Sequence, residues 1–102
     1  MADLHTVNKS PFEKNSLEAA IKFSQAGSAI LLIEDGVYAL RKNAAAAEKL
    51  QAALGKHKVY ALEPDLKARG LAPESALEGV SLVDYDGFVE LATEYDKLQS
   101  WL

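Results

Sequence analysis

The sequence predicts an α/β fold, a three-layer sandwich around a four- or five-stranded, mainly parallel sheet. Four short apolar runs recur, Leu4 to Val7, Ala29 to Ile33, Val59 to Leu62 and Val80 to Val83. Helical patterns separate them, and strands that alternate with helices pair in parallel through right-handed crossovers. The second run, Ala29-Ile30-Leu31-Leu32-Ile33, holds no polar residue, which marks a strand covered on both faces. The 102 residues suit one domain over 1–102, long enough to bury a core without disulfides or a metal.

The first strand is Leu4 to Val7. A helix is expected from Asn15, which can cap it, with Glu18 three residues later at capping-box spacing. Leu17, Ala20, Ile21 and Ser24 share one face of it, and Gly27 ends it. After the second strand, a helix from about Asn43 to Leu54 follows from the high helix propensity of Ala44 to Ala47. Ala47, Leu50 and Leu54 form its stripe, and Gly55 stops it. A short helix after the third strand begins at Pro64 and ends before Gly70. Leu71 to Gly79, with Pro73 and Gly79, reads as a loop. The last helix is expected from Asp86 to Leu98, with Phe88, Leu91, Ala92, Tyr95 and Leu98 at helical spacing.

Charge and composition narrow the functions. The net charge is −4 and the pI about 5.1, which argues against binding nucleic acid directly, since phosphate contact needs clustered Lys and Arg. The basic spots Arg41-Lys42 and Lys56-His57-Lys58 read as solvated edges. The chain has no cysteine, so a thiolate nucleophile, a persulfide, a disulfide and a thiolate metal site are all excluded. No apolar run has the length of a membrane span, and Met1 to His5 has no secretory pattern. The cytoplasm is the expected location.

Ligands of open α/β sheets bind beyond the carboxyl ends of the strands. Those ends are Asn8 to Pro11, Glu34-Asp35-Gly36, Glu63-Pro64-Asp65 and Asp84-Tyr85-Asp86. Their carboxylates can act as acid/base groups or bind a cation; capping the following helices and shaping a turn explain them more simply. His5 and His57 lack metal-ligand spacing, so no metal is expected. His5 is expected to be partly buried within the first strand and His57 to be solvated. Ser10, His5 and Asp35 can be written as a hydrolase triad, yet no GxSxG elbow accompanies them. There is no GxGxxG or Walker A motif, and no cofactor is expected. Trp101 either anchors an interface or folds back to close the core, with core closure slightly preferred. Candidate interface or pocket residues are therefore Ser10, Asp35, Gly36, Tyr85 and Trp101.

Longer strings carry a family resemblance. Leu4-His5-Thr6-Val7-Asn8-Lys9-Ser10-Pro11-Phe12 opens the chain, and Leu31-Leu32-Ile33-Glu34-Asp35-Gly36-Val37 follows the first helix. Next come Val59-Tyr60-Ala61-Leu62 and Asp65-Leu66-Lys67-Ala68-Arg69-Gly70-Leu71. Val83-Asp84-Tyr85-Asp86-Gly87-Phe88-Val89-Glu90-Leu91 leads into the last helix, and Gln99-Ser100-Trp101-Leu102 closes the chain. In this order they resemble the DsrH/TusB family of sulfur-relay proteins, with opening and closing segments closer to DsrH of the DsrEFH complex.

The resemblance implies a DsrE/DsrF-like fold. It also implies a heterohexamer with DsrE/TusD-like and DsrF/TusC-like subunits, which passes persulfide sulfur between carriers of the TusA and DsrC/TusE type. That sulfur serves dissimilatory sulfur oxidation or tRNA 2-thiouridine synthesis. The principal sulfur-accepting cysteine of such complexes belongs to the DsrE/TusD subunit. Some DsrH-like proteins carry a cysteine in the first helix near Ala19-Ala20; here alanines stand there. The expected role is a non-catalytic subunit with no direct nucleic-acid or membrane contact. The competing expectation is a small-molecule or nucleotide-binding α/β module using the strand ends near Ser10, Asp35 and Tyr85.

Overall fold

Burial on both faces dictates the middle of the sheet. In the computed structural model, which describes residues 3–8, 16–23, 27–40, 47–71, 78–95 and 97–101, the strands are β1 (Asp3–Val7), β2 (Ala29–Leu32), β3 (Lys58–Leu62), β4 (Ser81–Val83) and β5 (Lys97–Trp101). They form one sheet in the order β4-β3-β2-β1-β5, and every pairing is parallel. All four residues of β2 are buried. Alternate side chains go to opposite sides, so Ile30 and Leu32 join one core and Ala29 and Leu31 the other.

The helices are α1 (Ser16–Phe23), α2 (Ala47–Ala53), α3 (Glu63–Ala68) and α4 (Tyr85–Glu94), with a 3-10 helix over Glu34–Leu40. Leu17 and Ala20 of α1, Leu50 of α2, Leu66 of α3 and Val37, Ala39 and Leu40 of the 3-10 helix pack on the first face with Val7, Val59 and Ala61. The other face holds Leu4, Ala29 and Leu31 under Leu91 and Phe88 of α4 and Tyr95 just past its end. Chain order explains this division. The sheet grows in one direction from β1 to β4, then β5 returns to the far side of β1, and a right-handed crossover in the reverse direction places its helix on the opposite face.

The helices α2 and α3 end near the expected residues. Gly27 has φ 89° beyond α1, and Gly70 has φ 69° beyond α3. Pro64 is the second residue of α3 rather than its first. Asp84 caps α4 by accepting a 2.8 Å hydrogen bond from the Gly87 backbone. Asn15, Ser24, residues 43–46 and 72–77 lie outside the described residues, and so do the side chains of Glu18 and Ala47; the capping box and most of the expected loop fall there.

Three expectations are corrected. The last helix does not reach Leu98: it ends at Glu94, Tyr95 is extended at φ −101° and ψ 149°, and Lys97–Trp101 pairs with β1 along its whole length. Leu91, Tyr95 and Leu98 have helical spacing, but the open edge of β1 offers a full ladder of backbone hydrogen bonds that local spacing does not reveal. Glu34-Asp35-Gly36 is not a simple turn but opens the 3-10 helix. His57 is not solvated. It is 7% exposed, because the chain leaving α2 folds tightly, with the His57 amide donating to Ala53 O and Lys58 N donating to Ser28 O.

Candidate functional site

The carboxyl ends of the strands are organised around a turn that crosses the end of β1. The Ile33 amide donates to Val7 O at 3.0 Å and the Gly36 amide to Ile33 O at 2.8 Å, which sets the 3-10 helix against β1. Glu34 takes φ 48°, a conformation unfavourable for a residue with a Cβ. A 2.7 Å hydrogen bond from its backbone N–H to Asp65 Oδ2, in the first turn of α3, holds it there.

Arg69 ties the two segments together. Its Nε donates to Asp35 Oδ1 at 2.8 Å, and its Nη1 donates to the Asp65 backbone carbonyl at 3.3 Å and lies 3.9 Å from Asp65 Oδ1. The bond to Asp35 pushes the guanidinium pKa further up, against a smaller opposing effect of burial. Asn8, just past β1, has its Oδ1 buried and without a hydrogen-bond partner among the described residues. The arrangement is a charge-paired brace. Its carboxylates face a guanidinium, and no group of three His, Cys, Asp or Glu among the described residues is placed to hold a metal ion.

Of the sequence-chosen residues, the structure brings Asp35 and Gly36 into this brace. Ser10 lies outside the described residues. Tyr85 stands apart, at the first turn of α4 beyond the edge strand β4, and is 59% exposed. Trp101 pairs in register with Val7 and packs against the first core. Its indole Nε1–H donates to Nδ1 of His5 at 3.0 Å, with the rings 6.1 Å apart. Trp101 thus closes the core at the sheet edge.

His5 is 3% exposed, and its Nε2 has no hydrogen-bond partner among the described residues. Burial lowers its pKa, partly offset by Asp3, with His57 adding slightly to the lowering. His57 is lowered by burial and by Lys56, while a hydrogen bond to the Ser28 backbone works the other way. In both, the net shift favours the neutral imidazole. A cleft of 390 Å³ lined by Leu54, His57, Lys58, Val59, Tyr60, Gly79 and Ser81 opens at the amino ends of β3 and β4. That is the opposite end of the strands from the brace, and the chain-end rule for α/β ligands does not favour it.

Sequence reasoning missed Arg69 as the organiser of the carboxyl edge. An Asp65-to-Arg69 spacing of one helical turn was the available signal, but its partner Asp35 is distant in sequence. The His5–Trp101 pair had no local signal, since 96 positions separate them.

Comparison with known proteins agrees with this architecture. The family described as DsrH like protein matches residues 9–98. Protein TusB of Pectobacterium parmentieri is 33% identical over 98 residues, covering 96% of this chain and 99% of that protein. Protein TusB of Escherichia coli is 35% identical with the same coverage. Among solved structures, the ychN protein of Escherichia coli superposes with a TM-score of 0.77 at 16% identity, covering 98% of this chain and 99% of that one. Protein Tm0979 of Thermotoga maritima gives 0.65 at 27% identity, covering 90% and 92%. With a family match across nearly its whole length and relatives above 30% identity, the chain belongs to the DsrH-like family.

Proposed function

We propose that the chain is a non-catalytic subunit of a cytoplasmic sulfur-relay complex of the TusBCD or DsrEFH kind. The observation that carries this reading is family membership combined with the complete lack of cysteine. A relay passes sulfane sulfur as a persulfide, and only a cysteine thiolate can hold one. The sulfur must therefore sit on other subunits, of the DsrE/TusD and DsrF/TusC type, in a heterohexamer that exchanges it with TusA- and DsrC/TusE-type carriers. The TusB names of the relatives favour delivery towards tRNA 2-thiouridine over sulfur oxidation. Ala20, in the helix where some family members carry a cysteine, is fully buried in the first core. It offers no surface for a sulfur-bearing group.

The test is a pull-down of the tagged chain from its source cells, followed by native mass spectrometry. A mixed hexamer with two cysteine-bearing relatives is expected. A monomer or homodimer, with those relatives present in the lysate, would show that the family resemblance carries fold without role.

A further inference from the structure

The two faces of the sheet are unequally covered. Three helices and the 3-10 helix pack on one face, while α4 is the only described helix on the other. The large hydrophobic side chains left exposed among the described residues are Tyr85, Val89 and Leu98, at 59%, 63% and 47%. All three lie on the thinly covered side. Tyr85 and Val89 belong to α4, and Leu98 pairs in register with Leu4, whose side chain belongs to the core beneath α4. Paired residues of a ladder point to the same face.

The outer surface of α4 has two adjoining rows. Tyr85, Val89 and Ala92 follow one another at i, i+4 and i+7, next to the inward side of the helix, where Leu91 is buried and Phe88 partly buried. Asp86, Glu90 and Glu94 follow at i, i+4 and i+8, all exposed. The stretch from Asp84 to Glu94 holds no Lys or Arg, and the nearest basic residue in sequence is Lys97. An apolar row flanked by charges of one sign is a docking surface with a defined complement.

Resting on the relay-subunit reading, we propose that the outer face of α4, with Leu98 beside it, docks a different chain whose contact surface is apolar and rimmed by Lys and Arg. A second copy is the wrong occupant. A two-fold contact is self-complementary, so it would set the Asp86-Glu90-Glu94 row near its own duplicate, and like charges across an interface suppress pairing. A basic partner turns the same row into attraction and gives the contact its selectivity.

The experiment uses the full chain co-expressed with its two cysteine-bearing relatives and isolated through its own tag. Val89→Glu should lower the recovered relatives by about tenfold or more, as expected for a central apolar contact. Asp86→Lys with Glu90→Lys should also lower recovery, and Gln51→Glu on the exposed side of α2 should leave it unchanged. Thermal melting of each variant checks folding, which surface positions should preserve. Carbodiimide cross-linking of the wild-type assembly should join carboxylates of the 86–94 segment to lysines of a relative.

Unchanged recovery with both α4 variants would overturn the docking face while leaving the relay reading intact. Cross-links from 86–94 to lysines of a second copy would overturn the choice of occupant. If the wild-type chain recovers neither relative, the relay reading falls and this proposal falls with it.

Discussion

Gly36 lies where the 3-10 helix passes over the last carbonyl of β1. A Cβ built there would collide with Val7 O and stand 3.0 Å from its carbonyl carbon. These are backbone atoms held in the sheet, so they cannot rotate away. The glycine is required by the close approach, and through it the Asp35–Arg69 contact is placed against β1. Gly36→Ala should destabilise the fold by about 3 kcal/mol, the upper part of the usual overpacking range. Chemical denaturation measures it directly; a loss below about 0.5 kcal/mol would mean that the turn relaxes freely.

At the scale of elements, β5 is an edge strand with four of its five residues exposed. Its hold on the sheet therefore depends on its ladder with β1, on the Thr6–Ser100 hydroxyl contact at 3.2 Å, and on Trp101. The Trp101 indole supplies the hydrogen of the buried bond to His5, so Trp101→Phe removes a donor and strands a buried acceptor. The expected cost is about 1–3 kcal/mol. A double-mutant cycle with His5→Phe should show coupling of about 1 kcal/mol, since that variant removes the acceptor as well. Additive effects would show that Trp101 acts by packing alone. At its other end α4 is tied down by Tyr95, whose phenol pKa is raised by burial and by its neighbour Tyr60.

For the molecule as a whole, the two buried histidines set a pH dependence. Both have pKa values lowered in the folded state, chiefly by burial, while the unfolded chain titrates near the ordinary value of about 6.5. Above that pH both states carry neutral imidazoles, and the full stability is present. As pH falls below it, the unfolded chain takes up protons that the folded chain does not, and stability declines until the lowered folded values are reached. Each histidine contributes a slope of at most about 1.4 kcal/mol per pH unit in that window. Urea unfolding at pH 5.5 should therefore show lower stability than at pH 7.5. A His5→Gln, His57→Gln double variant should be less pH-dependent over the same interval, and an equally steep dependence in that variant would place its origin elsewhere.

The sequence by itself determined the order of the first four strands and of the helices α1 to α4, the mainly parallel sense of the sheet, the central place of Ala29 to Leu32, and the exclusion of thiolate and persulfide chemistry on this chain. These are legible because hydrophobic period, capping residues and composition act locally. The strings around Asp35, Arg69 and Tyr85 also carried the family. Only the tertiary structure decided that Lys97–Trp101 leaves the helix to pair with β1, that His57 is buried, and that Arg69 braces Asp35 to Asp65. Each depends on partners far away in sequence, since an open strand edge or a distant carboxylate leaves no periodic mark on the segment it captures. The uneven covering of the two faces belongs to the same class: Leu98 has the spacing of a core residue on the last helix, and only its place on the edge strand shows that it is exposed.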